Sequence, residues 1–524
     1  MLRPRIALLL CLFLPACHPS ERRADLVFLN GTEPESLDPA IFTGQPEGRL
    51  AAALFEGLTA HNARAEPVPG VAERWEISDD GKRYTFHLRA DARWSNGDIV
   101  TAHDFVRSWE RTLNHETASE YCYQLFYIRN AEAYNSRKLK DFSQVAVRAL
   151  DDRTLELELN HPTPFFLDLC GFPTLMPVHM RSLQEHGDDW IKPGRLVSNG
   201  AYMLAEWRMN HRIRLRANPH YWDRANVGLA VVDALPVSQA STGYNLYHSG
   251  AADLILDKGM VPTLIIHELR QHPDFHKSSF LGNYFYRFNV TRKPFTDVRV
   301  RKAFAMAIDK RRLVEKISRA GEQTADALVP HGIPGYTPPK GLGRDPAGAR
   351  KLLAEAGFPD GKGFPRVSLL YNESEQHQAI ATEIQDMLKK GLHVEVELRQ
   401  QEWKVYLSSM SSLDYDFCRG SWVGDYNDPN TFLDMFVTNG GNNRTGWSNA
   451  KYDTLIRAAG QELDPQKRMK IFHEAETILC QDELPILPLY YYVGIQFYDN
   501  RKFTGIEPNV LDDHPLKYIR KIGD

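Results

Sequence analysis

Apolar positions along this chain follow two rhythms. Tyr84, Phe86 and Leu88 alternate with Arg83, Thr85, His87 and Arg89, the period-two pattern of a strand with one wet face. Asp79-Asp80-Gly81 predicts the turn before it. Residues 154–159 alternate in the same way. Leu26-Val27-Phe28-Leu29 is apolar at every position and predicts a buried strand. Helical spacing appears between these runs. Leu50, Leu54 and Leu58 predict a helix over 49–58. Thr101-Ala102-His103-Asp104 predicts a capping box, with Phe105, Val106 and Trp109 on the apolar side of the helix it opens. Asp297 and Asp345 each cap a further helix, the second ending at Gly357.

A strand over 367–371, a helix over 376–390 and a strand over 394–396 form a β-α-β unit, typical of a mixed α/β lobe. Pro34, Pro39 and Pro46 mark a turn-rich loop near the start. No internal repeat or low-complexity run interrupts the pattern. The chain reads as two or three α/β lobes.

The N-terminus adds a location. Arg3 and Arg5 precede an apolar run, 8–14, too short to cross a bilayer. Leu14-Pro15-Ala16-Cys17 follows. Residues 1–16 read as a secretory signal with a cysteine at its cleavage point. The run resembles a bacterial lipobox, which implies that Cys17 carries lipid and becomes the anchored N-terminus. Each buried methylene of such a lipid adds about 0.8 kcal/mol. The expected place is the periplasm or cell envelope, tethered to a membrane.

The mature chain would keep 508 residues, enough for several cores. Its net charge, −4 for the whole chain and −6 without Arg3 and Arg5, argues against a nucleic-acid partner. Cys122, Cys170, Cys418 and Cys480 remain. No CxxC or Cys/His cluster suggests a metal site. An oxidising compartment permits one or two disulfides, and spacing does not give the pairing. Enzyme motifs are missing: there is no G-x-S-x-G, HExxH or P-loop, and His473-Glu474 lacks a second histidine. Neither catalysis nor a cofactor is expected.

One long pattern is specific. Ala72-Glu73-Arg74-Trp75 leads through Asp79-Asp80-Gly81 and Tyr84-Thr85-Phe86-His87-Leu88-Arg89 to Ala92-Arg93-Trp94-Ser95-Asn96-Gly97 and Thr101-Ala102-His103-Asp104-Phe105. Ser198-Asn199-Gly200-Ala201-Tyr202, Leu352-Leu353-Ala354-Glu355-Ala356-Gly357 and Trp447-Ser448-Asn449 extend it. This is similar to the family 5 solute-binding proteins of bacterial ABC importers, and within them to the oligopeptide-binding branch. The resemblance implies an α/β, two-lobed periplasmic-binding-protein fold of the class II or cluster C type, with a hinge and three domains. Lobe I would be discontinuous, taking 17–55, 180–281 and 493–524. Residues 56–179 would form an inserted domain II, and 282–492 lobe III. The implied function is capture of peptides in a closing cleft and delivery to permease subunits served by cytoplasmic ATPases. A monomer is expected. The alternatives are a receptor for murein peptide, dipeptide or metal chelate, or a chaperone-like envelope lipoprotein.

An engulfed extended peptide needs strand-like partners for its backbone, an acid for its amine and a cation for its carboxylate. By resemblance, Asp425 takes the amine, Arg419 and His377 lie near the carboxylate, and Trp403 and Trp422 line side-chain pockets. Asn199, Gly200 and Tyr491 complete the implied peptide-binding set. Three departures concern the carboxylate end. Met410 stands where the branch has an arginine, Ser318 where it has a lysine, and Arg287 where it has an acid. Arg287 is therefore expected to supply a missing cation. A cleft disulfide is also lost, at Gly282 and Val423.

Overall fold

The computed structural model of the protein describes residues 23–523, apart from 257, 263, 264, 334 and 463. The signal 1–16 and Cys17 lie outside the described residues. Leu26–Leu29 sits inside an 11-stranded sheet, between parallel neighbours Val231–Leu235 and Leu254–Ile255. Both of its faces are covered, which is why no position in it is polar. Arg212–Ala217 and Tyr202–Arg208 extend this half antiparallel. The other half holds Phe417–Val423, Val367–Asn372 and Val396–Gln401.

Two long strands, Phe275–Phe288 and Ile486–Tyr498, run through both halves. Residues 275–279 pair with 493–497 in the first lobe, and 283–287 pair with 486–491 in the second. Between Ser279 and Asn283 the register shifts. Such an irregularity interrupts the ladder and bends it locally. The lobes are thus joined through a weak point shared by two strands.

Between the early strands and Tyr202–Arg208 lies a separate four-stranded antiparallel sheet, made of Ala72–Ile77, Arg83–Leu88, Thr154–Glu158 and Val147–Asp151. Its alternating apolar positions Tyr84, Phe86, Leu88, Leu155 and Leu157 share one core with Phe105 and Trp109 of the helix Ala102–Leu113. The Thr101/Asp104 capping box forms as the spacing predicts.

Two boundaries differ from the pattern. The early helix is Gln45–Leu54, opened by a proline in its first turn, and the chain is already extended at Phe55. There the Asn199 side chain clamps both backbone groups of Glu56, at 3.1 and 2.8 Å, and draws the chain off into the inserted domain. The helix Glu375–Leu392 ends on a left-handed His393, φ 58°. Val394 is consequently buried beneath the helix end, and the parallel strand starts at Val396.

All four described cysteines are free thiols. Cys170 is in the core of the inserted domain, with Cys122 at its edge, while Cys418 and Cys480 lie in two further clusters. No described helix is long and apolar enough to cross a membrane. Among the described residues no group of His, Cys, Asp or Glu could hold a metal ion.

Candidate functional site

A cavity of about 370 Å³ lies between the lobes. Gly31 and Thr32, which follow the first strand, and Arg49 of the helix Gln45–Leu54 line one wall. Tyr121 and Phe172 come from the inserted domain, and the opposite wall belongs to the second lobe. There the helix Trp403–Ser411 presents Trp403, Tyr406, Leu407 and Met410. Their i, i+3, i+4, i+7 spacing is one helix face. Glu402 caps this helix by accepting from the Lys404 and Val405 amides.

The strand Phe417–Val423 pairs with Phe275–Phe288 along its length. Its other neighbour, Val367–Asn372, reaches only Phe417 and Cys418. Beyond that point one strand edge faces the cavity, where Ser421 and Val423 lie. An exposed edge of this kind accepts an extended chain as a further strand.

Arg419 and Arg287 both line the cavity. Tyr286 is opposite Arg419 and Arg287 is opposite Cys418. Neighbouring strand positions alternate faces, so the two guanidinium groups leave the sheet on opposite sides. Arg419 donates to the Tyr492 hydroxyl at 3.0 Å and lies 5.1 Å from the centre of the Tyr284 ring. His377 reaches the Tyr284 hydroxyl at 3.3 Å, which gathers His377, Arg419 and Tyr492 at one end of the cleft. Arg287, on the other face, is only 3% exposed. Its nearest partners are the Met410 and Met435 sulfurs, at 3.6 and 3.8 Å, and the Asn442 carbonyl at 3.4 Å. Among the described residues neither arginine has a carboxylate within ion-pair distance. The Nε of each, and the indole N–H of Trp403 and of Trp422, are buried without a hydrogen-bond partner.

Asp425 sits at the other extreme. Gln124 of the inserted domain and Thr431 both donate to its Oδ2, at 3.1 and 3.2 Å. No cation pairs with it among the described residues. Burial pushes its carboxyl up to about 8, against the two hydrogen bonds that favour the charged form. Trp422 lies three residues earlier and stacks on Tyr121, centroids 5.9 Å apart.

Other contacts close the cleft between the inserted domain and the second lobe. Arg444 forms an ion pair with Glu120, Phe165 stacks on Tyr426 at 4.1 Å, and Asn430 donates to the Tyr127 hydroxyl at 2.7 Å.

The structure brings Asp425, Trp422, Arg419, Trp403, His377 and Arg287 to one cavity. It does not bring Asn199, Gly200 or Tyr491 there. Asn199 holds the Glu56 backbone, and Gly200 donates to the Leu54 carbonyl. A Cβ at Gly200 would lie 2.6 Å from the Leu54 carbonyl carbon. Both residues thus fix the junction behind the cleft. Tyr491 pairs with Gln323 and packs against His331, while its neighbour Tyr492 lines the cavity. Ser318 is buried in a turn of π-helix, outside the residues that line the cavity. Gly282 and Val423 are direct cross-strand partners. A Cβ at Gly282 would meet the Tyr492 ring at 2.7 Å, so the bare glycine makes room for that ring. Gln124, Tyr121, Tyr492 and Arg444 were missed from the sequence. For Tyr492 the strand alternation through 490–492 was an available signal; for the others none was.

The family model for bacterial extracellular solute-binding proteins, family 5 Middle, matches residues 66–444. The oligopeptide-binding protein OppA of Bacillus subtilis is 37% identical over 91% of this chain and 89% of its own. A crystal structure of a periplasmic oligopeptide-binding protein from Borrelia burgdorferi superimposes with a TM-score of 0.92 at 32% identity, covering 95% of this chain and all of the other. The murein tripeptide-binding protein MppA of Escherichia coli, 35% identical, occurs in two structures. One superimposes at 0.90, over 95% of this chain and 98% of MppA; its unliganded open form superimposes at 0.64, over 95% and 97%. The present arrangement of lobes is therefore unlike that open form, although the sequences are equally related. A family match over well more than half of its length shows that this chain belongs to the family 5 bacterial extracellular solute-binding proteins.

Proposed function

We propose that this chain is the peptide receptor of an ABC importer. The observation that carries the proposal is the imbalance of the cleft. It holds a fully buried carboxylate, Asp425, whose partners are neutral, two guanidinium groups without an anion, and buried indole and guanidinium N–H groups without acceptors. Unmade hydrogen bonds of buried groups cost about 1–3 kcal/mol each. A peptide is the complementary molecule: it has one ammonium, one carboxylate and a row of carbonyl oxygens. Its amine meets Asp425, its backbone adds to the strand edge at Ser421 and Val423, and its carboxylate meets Arg419 beside His377. Trp403 and Trp422 flank its side chains.

The domain division proposed is 17–55 with 180–281 and 493–524, then 56–179, then 282–492. The register shift opposite Tyr491–Val493 supports a hinge at two of these boundaries. Closure brings Gln124 to Asp425 and Glu120 to Arg444, so ligand binding and lobe closure are one event. Lipid on Cys17 would hold the receptor at the membrane, beside permease subunits whose ATPases are cytoplasmic. It works as a monomer and binds no nucleic acid. Small-angle scattering tests closure. Saturating tripeptide should reduce the radius of gyration, and an unchanged profile with bound peptide contradicts the hinge. Mass spectrometry of ligand released from the purified protein tests the cargo, since a non-peptide ligand there overturns the proposal.

A further inference from the structure

Arg287 stands apart from the groups expected at the peptide carboxylate. It leaves the sheet on the face opposite to Arg419, on the side of Trp422 and Phe285. Its guanidinium carbon is 4.9 Å from the centre of the Phe285 ring. The Tyr121 hydroxyl is raised by burial first, then by Asp425 and Asp434, and is opposed by Arg287. Tyr121 therefore sits in the field of the amine-binding acid and of this cation. Arg287 belongs to the flank of the ligand, beside Trp422, rather than to its far end.

The coordination of Arg287 is poor for a buried charge. Thioether sulfur is a weak acceptor, and two of its three neighbours are thioethers. A guanidinium taken from water normally finds a carboxylate or several carbonyls. Room has been left for it all the same. A Cβ at Gly420 would lie 2.5 Å from the Arg287 Nη1, so the guanidinium lies where a side chain on the neighbouring strand would be.

The other charged groups around the cleft have partners. Arg444 is paired with Glu120, Asp513 lies 3.7 Å from His61, and Glu373, which accepts from the Gln239 amide at 2.9 Å, is only partly buried and keeps contact with water. Asp425, Arg419 and Arg287 remain. A peptide with neutral side chains supplies one ammonium and one carboxylate, which answers Asp425 and Arg419 and leaves Arg287 unmatched.

We propose that Arg287 forms the base of a side-chain pocket that selects a carboxylate, so that the preferred ligands are short peptides carrying one aspartate- or glutamate-type residue. This rests on the peptide-receptor proposal above. Calorimetry on the intact protein tests it with Ala-Ala-Ala, the three tripeptides with glutamate at one position, and their glutamine counterparts. At one position glutamate should bind about ten- to a hundredfold more tightly than glutamine, the range of a hydrogen bond to a charged group. Arg287→Met should abolish that preference while leaving the response to C-terminal amidation unchanged. If no position prefers glutamate in the wild type, or if the preference survives in Arg287→Met, the pocket is refuted. The wild-type comparison decides the matter even if the variant fails to fold. Equal binding of all seven peptides refutes the pocket and leaves a peptide receptor; binding of none refutes both.

Discussion

The amine end and the cation side of this cleft are both uncompensated, but they bear the cost differently. Asp425 has two neutral donors, and in the closed cleft its carboxyl rises to about 8. It can escape the cost of burial by taking a proton. Arg287 and Arg419 cannot, because arginine keeps its charge throughout the working range. Closing over nothing, or over the wrong ligand, is thus opposed by the cations at every pH, and by the acid increasingly as pH rises from the ordinary carboxylate range to about 8. The same burial that makes selection strong at the cations makes it adjustable at the acid.

This asymmetry can be broken most severely at Asp425. Removing one member of a buried pair costs about 3–5 kcal/mol, or roughly two to three and a half decades of affinity. Asp425→Ala should nearly abolish binding of free-amine tripeptides in calorimetry while leaving the melting temperature within a few degrees of wild type.

The pH dependence sharpens the comparison. An N-acetylated peptide gives Asp425 no cation, so closure over it raises the carboxyl above its ordinary value to about 8. The protonated form then favours closure, and affinity should fall as pH rises toward 8. The slope is at most about tenfold per pH unit, or roughly a hundredfold between pH 6 and pH 8. Free-amine peptides keep the carboxylate ionised and should lose only about twofold over that window, as their own α-amino group begins to deprotonate near pH 8. A parallel decline for both would show that Asp425 is not the group involved.

Arg419→Met should weaken free-acid peptides by about ten- to a hundredfold and amidated ones far less. Equal losses would remove Arg419 from the carboxylate end. The smallest effect is expected at Gly282. Alanine there would crowd the Tyr492 ring that holds Arg419, and overpacking of this kind costs about 1–3 kcal/mol. Affinity for free-acid peptides should fall by up to about tenfold, with amidated peptides less affected.

Much of this architecture is legible in the chain because it is local. The Thr101/Asp104 box, the alternation at Tyr84, Phe86 and Leu88, and the β-α-β run from 367 each depend on neighbours a few residues away. The second-lobe wall is legible for a different reason: Trp403, Arg419, Trp422 and Asp425 are singled out by the family resemblance and not by any local pattern of their own. Gln124 and Tyr121 were not, since they arrive from 300 residues away through closure and carry no pattern of their own. Tyr491 and Tyr492 show the finest limit. In a strand adjacent residues face opposite ways, so an error of one position exchanges a wall of the cleft for a packing residue behind it. Asn199 and Gly200 belong to a conspicuous motif, yet the structure uses them to hold the chain at Leu54 and Glu56.

The central claim is that Asp425 holds the amino group of a captured peptide. Calorimetry on wild type and Asp425→Ala, each with a free and an N-acetylated tripeptide at pH 8, tests it most directly. Each change alone should cost about two decades or more, and the two together should cost no more than either, because both delete one interaction. An acetylated peptide that binds wild type as tightly as the free one would contradict the account.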